Sequence, residues 1–160
     1  MRLLVHTNHI IFGDPNLKHI LKTKTIHASG VCFENKGILI LGESGSGKSS
    51  LALSLVANGA QLVCDDRAHL QVKNKILMMT KPPSLPGALE VRGLGLINVP
   101  LTTEARIDLI IDMELTSDTR LGGHKMELFG VEFPCVKGKN FYGLSDAIIV
   151  WSKYGGFLDL

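Results

Sequence analysis

The segment GESGSGKSS, residues 42–50, carries two glycines five apart, followed by a lysine and a hydroxyl residue. Gly42, Gly45 and Gly47 open backbone conformations closed to other residues, so successive amide hydrogens can turn inward around an anion. In such a loop Lys48 reaches the outer phosphates and Ser49 offers its hydroxyl to Mg²⁺. The N-terminus of the following helix adds partial positive charge. The candidate phosphate-binding set is therefore Gly42, Glu43, Ser44, Gly45, Ser46, Gly47, Lys48 and Ser49. A merely flexible glycine loop is the plain alternative. A buried strand before the loop and a helix after it favour the nucleotide.

Two acids, Asp65 and Asp66, follow the loop after one helix and one strand. Sequential elements tend to lie side by side, so the strand of the acids can lie next to the strand that carries the loop. One carboxylate there can hold Mg²⁺, directly or through water, and a second can orient or deprotonate a nucleophile. Either acid alone could simply cap a turn, but two adjacent carboxylates repel one another unless a cation is near. Neighbouring side chains on a strand point to opposite faces, so pattern leaves open which Asp meets the metal.

The elements that must position these groups are readable in outline. VCFENKGILIL predicts two strands around a turn at Asn35, Lys36 and Gly37, the second apolar throughout like a strand buried on both faces. Ser50 to Asn58 predicts a helix of about three turns stopped at Asn58-Gly59. AQLVCDD is a short strand ending in acid, and HLQVKNKILMM a hairpin turning at Asn74-Lys75, with a helix as the alternative. KPPSLPG breaks the pattern. LEVRGLGLINV then reads as a strand interrupted by glycines, RIDLIIDMEL as an apolar strand, and MELFGVEFPCV as two short strands around Gly130. LSDAIIVWSKYGG is read as a helix capped by Ser145 and stopped at Gly155-Gly156, although its apolar middle would also suit a strand.

With 160 residues the chain fits one domain able to bury a core without disulfides or structural metal. A net charge of +2 with no polybasic stripe makes nucleic acid an unexpected partner. Cys32, Cys64 and Cys135 are odd in number and lie in apolar stretches, so buried free thiols and a reducing cytoplasm are expected. MRLLVHTNHIIFGD is too broken for a signal h-region or a membrane span.

IHASGVCF, GILILGESGSGKSSLAL, LVCDDR, LEVRGLGLINV and DTRLGG, in this order, resemble the catalytic domain of the HPr kinase/phosphorylase family over about His27 to Val136. The signature segment is Leu89, Glu90, Val91, Arg92, Gly93, Leu94 and Gly95 beside the DDR triplet. The resemblance implies an α/β fold: a single P-loop domain of strand-rich mixed sheets with few helices, like HPr kinase and PEP carboxykinase. It implies ATP and Mg²⁺ as cofactors, an HPr-like phosphocarrier phosphorylated on serine as partner, and reversal by inorganic phosphate with release of pyrophosphate. It further implies a homo-oligomer, a hexamer, in the cytoplasm. By the same resemblance His27 is an active-site histidine, Lys48 the loop lysine, and Ser49 and Glu90 the metal ligands. Asp66, more than Asp65, is the acid that takes and returns the serine proton, and Arg120 is a catalytic arginine. On residue type alone, His27 is one of six histidines, Glu90 and Arg92 a surface ion pair, and Arg120 a solvated loop charge.

Residues 1–26 are expected as an extension packed on or near the core, and 27–160 as the catalytic domain, in a short form without a separate N-terminal domain. The rival readings are a small-molecule P-loop kinase or NTPase, and a regulatory protein that binds nucleotide without transferring it. The acids and the arginine speak against a mere sensor, which needs neither.

Overall fold

The chain is described by a computed structural model over residues 23–117 and 123–156. β1 (Thr23–Phe33) turns at Glu34 and Asn35 into β2 (Lys36–Leu41). Both turn residues hold positive φ, 49° and 64°, the geometry whose twist matches a two-residue hairpin. The turn thus lies slightly earlier than expected, and Gly37 already pairs with Cys32 inside the hairpin. Gly37 serves a different purpose: a β-carbon there would sit 1.8 Å from the Arg106 carbonyl oxygen, so only glycine lets the next strand approach.

After α1 (Lys48–Ala57) comes β3 (Gln61–Cys64), then the hairpin of β4 (Arg67–Lys73) and β5 (Ile76–Thr80). Asn74 and Lys75 turn it with φ of 50° and 66°, which excludes the helical alternative. β6 (Leu89–Val91) and β7 (Gly95–Ile97) form a separate antiparallel hairpin where a single interrupted strand was expected. β8 (Glu104–Thr116), β9 (His124–Leu128), β10 (Val131–Lys139) and α2 (Leu144–Tyr154) complete the order.

β2, β1, β4, β5 and β8 pair in sequence, and β8 pairs back onto β2, so these strands close into a ring. The β2–β8 contact is parallel and the others antiparallel. β10 extends the sheet parallel to β8, β9 follows antiparallel to β10, and β3 joins antiparallel to β1. The fold is the strand-rich mixed sheet with few helices that was expected. The acid-bearing strand takes another of the places open to it: β3 lies against β1, not β2. The reason is that β8 takes the other edge of β2, leaving β1 between the loop strand and the acids.

Alternation along β2 divides the core. Leu39 and Leu41 face inward with Leu70, Leu77, Met79, Ile110 and Phe133. Ile38 and Ile40 face the helices, under Leu51, Ala52 and Leu55 of α1 and Leu144 and Ile148 of α2. α2 is a helix because only one of its faces is covered: Leu144, Ile148 and Ser152 are buried while Val150 stays exposed. Its cap is Gly143 at φ 73°, not Ser145, which falls inside the first turn. At its other end Lys36 Nζ donates to the carbonyls of Trp151 and Ser152 at 3.2 and 2.7 Å, placing a cation at the negative end of the helix dipole. Cys64 and Cys135 are buried and all three cysteines are free. No helix among the described residues is long and apolar enough to cross a membrane.

Candidate active site

The glycine loop leaves β2 at Gly42 and enters α1 at Gly47. A β-carbon on Gly42 would stand 2.4 Å from Ser46 Oγ, so the loop can fold back on itself only with glycine there. Gly47 caps α1 at φ 100° with no side-chain hydrogen bond, and no acid occupies the first turn. The first amide hydrogens of α1 therefore lack intrahelical partners and carry the positive end of the dipole. Lys48 is buried, and its Nζ spans the loop, donating to the carbonyls of Gly42 and Glu43 at 2.8 Å each. Burial pushes its ammonium below the usual lysine range, against the opposing pull of Asp66, Asp65, Glu114 and Glu43. Glu114, at the end of β8, accepts the Glu43 amide hydrogen at 3.0 Å and anchors the loop's start.

β3 ends at Cys64, so strand alternation no longer governs the two acids. Asp66 takes φ 65°, Arg67 N–H donates to the Asp65 carbonyl at 2.7 Å, and Ala28 N–H donates to the Asp66 carbonyl at 3.1 Å. This left-handed turn sends both carboxylates into the same cleft. Asp65 Oδ1 accepts from Ser29 Oγ at 2.7 Å and from Ser49 Oγ at 3.0 Å. Asp66 Oδ1 lies 3.1 Å from His27 Nε2, with the two side chains 68% and 45% exposed. Ser29, fully buried, was not singled out from the sequence. The signal was its place two residues after His27, which on a strand means the same face. Glu114 was likewise missed.

β6 forms the opposite wall. Leu89 anchors it in the core under the helices, while Glu90, Val91 and Arg92 line the cleft. Glu90 and Arg92 form no ion pair with each other among the described residues. The cleft has a volume of about 430 Å³ and brings together His27, Lys48, Ser49, Asp65, Asp66 and Glu90. Arg120 lies outside the described residues. Among those described, no cluster of three His, Cys, Asp or Glu could hold a metal unaided. The Ser49 hydroxyl and nearby carboxylates are hard oxygen donors, suited to Mg²⁺ completed by substrate phosphates.

A family model described as the HPr Serine kinase C-terminal domain matches residues 18–137. Among solved structures, the Hpr(Ser) kinase/phosphatase from Coxiella burnetii is similar with a TM-score of 0.70 at 27% sequence identity. The alignment covers 81% of this chain and 88% of that one. The matched span includes every element that lines the cleft and well over half of the residues, so this chain belongs to the HPr serine kinase C-terminal domain family.

Proposed function

We propose that this chain transfers the terminal phosphoryl group of Mg²⁺-bound ATP to a seryl hydroxyl of an HPr-like phosphocarrier. In the reverse reaction inorganic phosphate attacks the phosphoserine, freeing the serine and releasing pyrophosphate. The family comprises kinase/phosphatases, which supports phosphoryl transfer as the general chemistry. The observation that carries the reading is the split between the two acids. Asp65 is bonded to Ser49 of the loop at 3.0 Å, whereas Asp66 faces His27 at 3.1 Å, at the open side of the same cleft.

In this reading the inward amides and Lys48 hold the phosphates. Ser49, Asp65 and Glu90 would provide the oxygen donors for Mg²⁺, which would supply positive charge to offset that of the phosphates. Ser29 holds the Asp65 carboxylate in place. Asp66 takes the seryl proton as the new P–O bond forms and ADP departs. His27 Nε2–H donates to Asp66 and keeps that carboxylate aimed. Arg120, from DTRLGG, is the arginine that meets the charge on the transferring group. In the reverse direction protonated Asp66 returns its proton to the seryl oxygen, so one acid serves both directions.

The test is incubation of the purified chain with γ-labelled ATP, Mg²⁺ and HPr, followed by inorganic phosphate. Label on an HPr serine, then pyrophosphate, is the expected sequence. Label appearing only in water or on a metabolite would overturn it in favour of an NTPase or small-molecule kinase. Asp66→Asn, which suits the left-handed turn, should keep ATP binding and lower both directions together by about 10²- to 10⁴-fold. Transfer that survives this substitution removes Asp66 as the base.

A further inference from the structure

A second groove, of about 470 Å³, shares Gly47 and Ser50 with the phosphate cleft. Ser50, Leu51 and Ser54 supply one wall, a single stripe along α1. Asn140, Phe141 and Tyr142, between β10 and α2, supply the other. The two spaces differ in chemistry. The phosphate cleft is lined by Lys48, Arg92, His27 and three carboxylates, whereas no charged side chain lines the groove.

Its floor is apolar and close to the loop. A β-carbon on Gly138 would meet Met113 Sδ at 2.9 Å and a Leu144 methyl at 3.1 Å, so glycine keeps this floor open. The methyl of the same Met113 would be 3.5 Å from a β-carbon on Gly47, which carries the floor to the phosphate loop. Phe141 and Tyr142 are 44% and 97% exposed, large aromatic surface left uncovered at the groove's mouth.

Gly47 and Ser50 line both spaces, so a polyphosphate held by the loop with its reacting end toward Asp66 can pass its other end over the start of α1 into the groove. We propose that the groove is the nucleoside subsite, with the ribose near Ser50 and the planar base laid against Phe141 and Tyr142 above the Met113 thioether. An uncharged aromatic lining suits a neutral base, which stacks on ring faces and sulfur. The inference rests on the reading that the loop holds a nucleoside triphosphate.

The test compares binding of ATP and of inorganic tripolyphosphate to the wild type, Phe141→Ala, Tyr142→Ala and Lys48→Ala. Losing a stacking ring should weaken ATP by about tenfold in Phe141→Ala or Tyr142→Ala and leave tripolyphosphate unchanged. Lys48→Ala should weaken both ligands. Photolabelling with 8-azido-ATP should mark the tryptic peptide spanning residues 140–153, with protection by ATP. Tyr142 is so exposed that its truncation leaves the fold intact. Unchanged ATP affinity in both aromatic variants, equal loss of both ligands in them, or label confined to another peptide overturns the subsite while the Lys48 result still upholds the loop. Undiminished binding of both ligands to Lys48→Ala overturns the loop reading itself, and the subsite with it.

Discussion

Lys48 is buried among main-chain carbonyls, and the cost of burying its charge outweighs the attraction of the carboxylates around it. A bound polyphosphate favours the ammonium and moves its pKa back up toward the ordinary 10.5. In the alkaline range between the lowered and the ordinary value, ATP binding should therefore take up a proton, and affinity should fall as pH rises through the lowered value. Calorimetry in two alkaline buffers of different ionisation enthalpy measures this directly, and identical heats in both would refute it. Lys48, Ser49 and the two acids were legible because a fixed spacing of residue types is itself the signal. The direction of the acids was not. It depends on one backbone dihedral at Asp66 and on a hydroxyl, Ser29, brought in by another strand.

The β4–β5 hairpin and the helix after the loop were legible as local events, written in Asn74-Lys75, Asn58-Gly59 and the apolar periods between them, whereas the β6–β7 hairpin was not. Lateral order was not, since nothing in AQLVCDD says whether its neighbour is β1 or β2. Closure of the ring was equally hidden and rests on a close approach. Asp108 bulges out of β8, its carboxylate accepting the Gly37 amide hydrogen at 3.0 Å, and the Arg106 carbonyl fills the space a Gly37 side chain would need. Gly37→Ala should cost about 2–3 kcal/mol by forcing backbone apart. Gly123→Ala, with open space around it, should stay within about 0.5 kcal/mol. Urea unfolding of the two variants decides, and equal midpoints would refute the close-approach account.

Over the whole molecule, burial also governs the thiols. It pushes Cys64 from 9.0 up to about 12 and Cys135 up to about 11. The unfolded chain therefore loses these protons first. Stability unaffected at neutral pH should fall as pH rises above 9.0 and continue falling toward the folded values. Unfolding midpoints under reducing conditions at rising pH measure it, with Cys135→Ala expected to flatten the slope. The family was legible in five short motifs, yet the ring that sets β1 beside the loop's strand was not. β1 passes between the acids' strand and the loop's strand, and its same-face positions His27 and Ser29 each contact one aspartate. Two residues of extended chain span only about 7 Å. The separation of the two carboxylates is thus measured out by a single length of paired backbone, with no joint there to bend.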